Sequence, residues 1–201
     1  MNSSPENRDP LTGLISRQIG LATLDSFIEH FNRVALLFCD VDQFKSLNEM
    51  LGHMRGDEEL CRIARDLERI CAPYPVWRMG GDEFVVLLHE VSLQQVREVA
   101  DKILASQPPQ AAPSWSDVPF APCMSFSIGI ALYPTHATSA ENLLHAADIA
   151  LFKAKDGGRL PDGIPYTGRN RAMMWGDFLD EFPDQSARFL NPEFLASQQK
   201  G

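Results

Sequence analysis

The segment RMGGDEFVVLL, residues 78–88, places two glycines and two acids between stretches of β-forming residues. Adjacent glycines in such a context favour a tight β-hairpin, because glycine adopts positive φ angles without steric cost. An ordinary exposed hairpin is one interpretation. However, a solvated turn does not need Asp82 beside Glu83, and like charges this close are unfavourable unless a cation binds there. The bare Gly80 and Gly81 would also let a bulky ligand approach the backbone.

Apolar patterns on either side of this hairpin predict alternating helices and strands. Helical spacing of apolar residues predicts helices over roughly residues 12–31, 60–70, 93–103 and after Ser139, which is a suitable N-cap. The runs VALLFCDV (34–41) and MSFSIGIALY (124–133) predict strands, and the Pro-rich stretch between them from 107 to 122 predicts a surface loop. The order α, β, α, hairpin, α, β, α predicts an α+β fold of ferredoxin-like type, with helices flanking the sheet.

Asp40 stands at the end of the apolar run 34–41, where a charge is costly unless it is paired or binds metal. If the hairpin lies beside this strand, Asp40, Asp82 and Glu83 converge at one edge of the sheet. Three carboxylates without histidine or cysteine suit Mg²⁺ or Mn²⁺ better than zinc. The alternative is that Asp40 only caps the helix that follows.

Charge and composition exclude several classes of function. A net charge of −9 argues against a nucleic-acid-binding protein, which needs a basic face. No apolar run is long enough to cross a bilayer, and the first residues lack the pattern of a secretion signal, so we predict a cytoplasmic protein without a membrane partner. The four cysteines show no CxxC spacing and are expected to be reduced core residues.

Five separated motifs resemble the GGDEF domain, the diguanylate cyclase family. They are DPLTGL (9–14), DVDQFKSLNEMLGHMRGD (40–57), RMGGDEF (78–84), SIGIALYP (127–134) and ADIALFKAKDGGR (147–159). The resemblance implies a palm-type sheet and the condensation of two GTP molecules into cyclic di-GMP and pyrophosphate. It also implies a homodimer for catalysis, since each subunit would hold one GTP.

The resemblance assigns the carboxylates to metal and catalysis. Asp40, Asp82 and the Val41 carbonyl resemble the metal ligands, and Glu83 resembles the ligand of a second ion. The implied cofactor is Mg²⁺ or Mn²⁺, which would neutralise the triphosphate and polarise the α-phosphorus. Asp82 and Glu83 are the predicted catalytic residues, with Asp82 as the family's proposed proton acceptor. A metal-bound carboxylate is a poor base, so the metal itself is the alternative.

The resemblance also implies a set of substrate contacts. Asn48 and Asp57 resemble the residues that read guanine, and an aspartate favours GTP over ATP because adenine lacks the donor pair on that edge. His53 either touches the base or only caps its helix. The remaining predicted contacts are Gln43, Phe44 and Lys45 at a helix start suited to phosphate, the turn residues Arg78, Gly80 and Gly81, and Lys155 and Arg159 near the last helix.

Two departures from the family pattern affect these assignments. Leu160 follows Arg159 where the family usually has asparagine, and a second Gly-Arg-Asn lies at 168–170, so Arg169 is the alternative phosphate contact. The product-binding RxxD motif is replaced by Cys-Ala-Pro-Tyr at 71–74, which predicts that the inhibitory product site is absent.

The sequence divides into a short extension (1–8), the GGDEF domain (9–171) and a predicted helical tail (172–201). In the tail, apolar residues recur on one helical stripe: Met174, Trp175, Phe178, Leu179 and Phe182. This stripe either folds back on its own domain or packs against a second subunit. The main functional alternative to a cyclase is an inactive GGDEF module that binds GTP and signals through a protein partner; a different purine cyclase is disfavoured by Asp57.

Overall fold

Strand β1 (Val34–Val41) forms the centre of a five-stranded sheet, and all of its residues are buried. The computed structural model describes residues 7–107, 124–156, 158–159, 165–166 and 168–177. The other strands of the sheet are β2 (Val76–Gly80), β3 (Glu83–His89), β4 (Phe126–Tyr133) and β7 (Arg171–Met174), in the order β2-β3-β1-β4-β7. All neighbours are antiparallel except β4 and β7, which are parallel. Strands β5 (Gly158–Arg159) and β6 (Pro165–Tyr166) form a separate pair.

In the described parts of the chain, five helices cover the two faces of the sheet: α1 (Arg17–His30), α2 (Phe44–Leu51), α3 (His53–Cys71), α4 (Leu93–Ser106) and α5 (Ala140–Lys155). Alternate residues of β1 enter different cores. Leu37 and Cys39 pack with α2, α3 and α4, whereas Leu36 and Phe38 pack with α1 and α5. Because side chains alternate along a strand, Asp40 follows Phe38 and faces the α1 and α5 side. This alternation determines which helix can reach the Asp40 carboxylate.

The predicted α+β fold, the central strand at 34–41 and the hairpin at 80–83 are confirmed. The helix predicted from residue 12 is wrong at its start, since α1 begins only at Arg17. The cause is local: the backbone N and the hydroxyl of Thr12 both donate to Asp9, at 2.8 and 2.6 Å, and hold a turn there. Ser139 caps α5 as predicted, by accepting from the Asn142 backbone N–H at 3.3 Å.

The prediction of a helical tail from 172 is wrong at its beginning. Residues Arg171–Met174 form an edge strand that pairs with β4, and the predicted boundary between 171 and 172 falls inside it. Met174 and Trp175 are buried, because β7 places them against the two cores of the sheet. Within the described part of the predicted tail, residues 172–177, helical backbone is found at 175–177. Phe178, Leu179 and Phe182 of the predicted stripe lie outside the described residues.

In the described part of the chain, no helix has both the length and the apolar content that a bilayer crossing requires.

Candidate active site

The turn between β2 and β3 is held in place by Arg78. Both Gly80 and Gly81 have positive φ angles, of 152° and 54°, which explains the paired glycines. The Arg78 guanidinium donates twice to the Gly81 carbonyl, at 2.9 and 2.8 Å, and forms an ion pair with Asp9 at 3.2 Å. These contacts give Arg78 a bracing role in the turn, while its predicted phosphate contact stays a prediction.

The turn lies against the end of β1, so the acids predicted to converge do lie at one edge. Asp40 is opposite Glu83 in the register of β1 and β3. The Val41 backbone N–H donates to the Asp82 carbonyl at 3.2 Å, which links Asp82 to the end of β1. The adjacency follows from antiparallel pairing, since the end of one strand meets the beginning of the next.

Lys155 contacts Asp40 from the last residue of α5. Its Nζ lies 2.7 Å from Asp40 Oδ2, and the side chains are 38% and 6% exposed, respectively. The contact is possible because Asp40 faces the α5 side of the sheet. A cation in the last turn of a helix is also favoured by the helix dipole.

The carboxylates at this edge repel one another. Burial raises the pKa of Asp40 to about 6. The hydrogen bond from Lys155 acts to lower this pKa, whereas repulsion by Asp82 raises it further. Burial also raises the pKa of Glu83, and the nearby charges of Asp148 and Asp82 act in the same direction. This edge is therefore strongly anionic, with four acids: Asp40, Asp82, Glu83 and Asp148. Lys155 brings a positive charge into direct contact with Asp40.

Asp148 was missed by the sequence reasoning. It lies on α5 seven residues before Lys155, which places both on one face of the helix, and this spacing is the signal that could have identified it. Burial raises the pKa of Asp148, while the charges of His145 and Lys155 act to lower it. Asp148 therefore belongs electrostatically to the same edge as Glu83.

The donor set fits a hard divalent cation in its chemistry, because it consists of carboxylate oxygens whose charges repel. The geometry is less complete. Among the described residues, no three or more histidine, cysteine, aspartate or glutamate side chains are arranged to hold a metal ion. Lys155 Nζ contacts Asp40 Oδ2, an oxygen of one of the predicted metal ligands.

The predicted base contacts and the predicted phosphate contacts at 43–45 lie on α2, on the first turns of α3 and on the loop that enters α2. Helix α2 begins at Phe44, with Gln43 as its N-cap in a left-handed conformation, so the predicted helix start is confirmed. Lys45 is exposed, and its Nζ lies 3.8 Å from Glu49 Oε1. His53 and Asp57 are also exposed, at the beginning of α3.

Asn48 is the base-contact candidate with the clearest structural signal. Its Oδ1 atom is buried and has no hydrogen-bond partner in the described structure. A Cβ atom on Gly56 would overlap that oxygen, so only glycine at 56 leaves room for the carboxamide. A buried acceptor without a partner is unfavourable and would be satisfied by a donor from a ligand.

Asp42 is buried and does not join the acids around Asp40. Its carboxylate accepts hydrogen bonds from the Ser125 and Ser127 hydroxyls, at 2.6 and 2.8 Å, and from the Asn170 backbone N–H at 3.0 Å. These donors satisfy the charge inside the protein. Asp42 thus connects the end of β1 to β4 and to the residue that precedes β7.

Both arginines considered for the phosphates follow α5. The backbone of Arg159 lies in β5, and its side chain lies outside the described part of the structure. Arg169 is exposed, with a φ of 78°, and its backbone N–H donates to the Ala154 carbonyl at 2.7 Å. The choice between them stays a prediction.

A family model described as diguanylate cyclase, GGDEF domain, matches residues 6–160. This chain belongs to that family. Diguanylate cyclase TpbB of Pseudomonas aeruginosa (strain UCBPP-PA14) is 40% identical to the GGDEF domain over 156 residues, which cover 76% of this chain and 34% of TpbB. The solved GGDEF domain of TpbB from P. aeruginosa has 35% identity and a TM-score of 0.70, covering 87% of this chain and 99% of that one.

Not every relative of this GGDEF domain is named as a cyclase. PdeR of Escherichia coli (strain K12), named as a cyclic di-GMP phosphodiesterase, is 33% identical over 156 residues that cover 76% of this chain and 23% of PdeR. The chain therefore spans about a third or less of the length of these two curated relatives. Membership of the family accounts for the fold, whereas the activity depends on the residues of the site.

Proposed function

We propose that this GGDEF domain is a diguanylate cyclase, which condenses two GTP molecules into cyclic di-GMP and two pyrophosphates. One observation carries the proposal: the edge of the sheet brings Asp40, Asp82 and Glu83 together opposite Lys155. TpbB, a relative at 40% identity, is named as a diguanylate cyclase, which supports the assignment.

In this mechanism the side chains bind and orient the substrate. Asp40, Asp82, Glu83 and the Val41 carbonyl would hold Mg²⁺ or Mn²⁺, which when bound neutralises the triphosphate and polarises the α-phosphorus. Lys155 supplies a positive charge to the phosphates. Asp82 accepts the proton of the attacking 3′-hydroxyl, although metal binding makes a carboxylate a weaker base.

Guanine is recognised by the α2 and α3 side of the site. The unpartnered Asn48 carbonyl oxygen accepts from the base, and Asp57 accepts from N1 and the 2-amino group, which adenine does not offer as a donor pair. Because each domain holds one GTP, the reaction requires a homodimer in which the 3′-hydroxyl of one nucleotide faces the α-phosphate of the other. The protein is proposed to act in the cytoplasm, where GTP is available.

An inactive module that binds GTP and signals through a partner is the alternative, and the phosphodiesterase name of PdeR is the observation that favours it. Incubation of the purified chain with GTP and Mg²⁺, followed by chromatography of the nucleotides, separates the two. We expect cyclic di-GMP from GTP and no cyclic product from ATP. Binding of GTP by calorimetry without turnover, at every protein concentration and also with Mn²⁺, would instead favour the inactive module.

A further inference from the structure

Lys155 contacts Asp40 through a carboxylate oxygen that the proposed function assigns to the metal ion. The ammonium lies 2.7 Å from Asp40 Oδ2. Mg²⁺ binds carboxylate oxygens at about 2.0–2.1 Å, so the ion and the ammonium cannot both contact this oxygen from the same side without strong repulsion. The Asp40 side chain is only 6% exposed, which leaves few other directions of approach.

Resting on the proposed function, we propose that Lys155 is a tethered counter-ion, which holds the metal position on Asp40 until a metal–nucleotide complex displaces it onto the phosphates. The side chain can make this movement, because it is 38% exposed and carries its charge on a flexible four-carbon stem. Its anchor is α5, which packs on β4 and β1 and stays in place while the side chain moves.

The consequence is a coupling between metal and nucleotide. Without nucleotide, a divalent ion has to compete with Lys155 and leaves the displaced ammonium near an ion of the same sign. With nucleotide, the triphosphate offers the ammonium a new anionic partner, and the competition disappears. Metal and nucleotide therefore strengthen each other's binding, as any coupling free energy between two ligands is reciprocal.

The first test is Mn²⁺ binding to the full nucleotide-free chain, measured from the paramagnetic resonance signal of the free ion at about pH 8, where carboxylates are ionised. We expect Lys155→Met to bind Mn²⁺ about tenfold more tightly than the parent, as the removal of an adjacent charge predicts. Lys102→Met, which removes an exposed lysine of α4, is the matched control and should behave like the parent. Equal affinity of Lys155→Met and the parent would overturn the proposal.

A second test separates displacement from a general effect of charge. Acetylation of Lys155 relative to Lys102 is measured by peptide mass spectrometry in the parent chain. Saturating Mn²⁺ alone should raise the Lys155 reactivity several-fold, and a non-hydrolysable GTP analogue added with the ion should lower it again. Asp40→Asn should raise it without any metal. A Lys155 reactivity that does not change when Mn²⁺ saturates the site would contradict displacement.

These measurements do not depend on turnover, so the two proposals fail separately. If no cyclic di-GMP forms but both Mn²⁺ results are as expected, only the proposed function fails. If cyclic di-GMP forms and Lys155→Met leaves the Mn²⁺ affinity unchanged, only the counter-ion role fails.

Discussion

Arg78 pairs with Asp9 at 3.2 Å although 69 positions separate them in the sequence. The same guanidinium donates to the Gly81 carbonyl, so one side chain connects the segment before α1 to the turn between β2 and β3. Burial acts to raise the pKa of Asp9, but the hydrogen bonds from Thr12 and the charge of Arg78 outweigh it and lower the pKa. The segment 9–14 is thus fixed to the turn rather than to α1 alone.

We expect Arg78→Ala to lower the free energy of unfolding by about 1–3 kcal/mol, because it leaves a half-buried Asp9 and the turn carbonyl without their donors. Cyclase activity should fall as well, since the turn loses its brace. Urea denaturation and the GTP assay measure the two effects. Arg69→Ala, which removes an exposed pair with Asp66, is the control and should change stability by less than about 1 kcal/mol. Equal effects of the two substitutions would refute the bracing role.

Replacement of both Asp82 and Glu83 by alanine should abolish cyclisation while leaving stability about the same or slightly higher. The reason is that the two acids repel Asp40 and add little apolar burial. The control is the double variant Glu98→Ala and Asp101→Ala, which removes two exposed acids of α4 and should retain activity. Cyclic di-GMP formation by the Asp82 and Glu83 variant at the parental rate would show that these acids are not needed for catalysis.

Asp40 should make the metal-free protein less stable as the pH rises. Its pKa is about 6 in the folded protein against an ordinary value of 3.8, so the folded state binds more protons between these values. The free energy of unfolding therefore falls from about pH 4 to about pH 6 and stays lower above that range. Asp40→Asn should raise it by roughly 1–3 kcal/mol at neutral pH and flatten the pH profile.

This prediction is checked by urea denaturation in EDTA across that pH range. Asp57→Asn, which changes an exposed carboxylate, is the control and should follow the parental profile. A pH profile for Asp40→Asn as steep as that of the parent would contradict the expected charge effect.

We expect no product inhibition at the surface formed by residues 71–74, where the family's RxxD motif would lie. Residues 71–74 offer neither an arginine for a product phosphate nor an aspartate for its guanine; Cys71 is buried and Ala72 and Pro73 are exposed. We expect calorimetry to detect no tight cyclic di-GMP binding once Asp82 and Glu83 have been replaced. Tight binding that survives this replacement would show that another surface has taken the role.

Two truncations separate the strand β7 from the tail that follows it. A chain that ends at Arg171 should be strongly destabilised, because it loses the buried Met173, Met174 and Trp175, whereas a chain that ends at Asp177 should keep the sheet intact. If residues after 177 form a dimer contact, the chain that ends at Asp177 should sediment as a monomer, with an activity that depends steeply on concentration. An unchanged sedimentation profile would exclude the dimer role.

Sequence patterns correctly predicted the helices and strands that depend only on residues nearby in the sequence. The run 34–41 became the central strand because every position is apolar up to Asp40, and Ser139 capped α5 because the cap needs only its own first turn. Pairing of β7 with β4 was missed, since a parallel edge strand depends on a partner more than 40 residues away, as in the register of Ile128 with Ala172. An apolar stripe at 174–175 reads as a helix when that partner is unknown.

The site followed the same division. The proximity of Asp40 to Glu83 could be predicted, because a strand end and a hairpin mouth meet when their strands pair. The Asp42 hydrogen bonds, the Arg78 ion pair with Asp9 and the contribution of Asp148 required the tertiary structure, since each joins elements distant in sequence. The resemblance of the motifs identified the residue types. It did not show which residues contact one another, such as Lys155 and Asp40.

The two halves of the candidate site belong to elements that differ in how extensively they pack against the rest of the protein. Asp40 belongs to the fully buried central strand, whereas Asn48 lies on α2, whose most extensive packing is with the neighbouring helix α3. Amide hydrogens of β1 should therefore exchange with solvent only through global unfolding, while those of α2 should exchange through local opening. The half proposed to read the base can then fluctuate and admit a nucleotide on a faster timescale than any motion of the half proposed to carry the reacting groups.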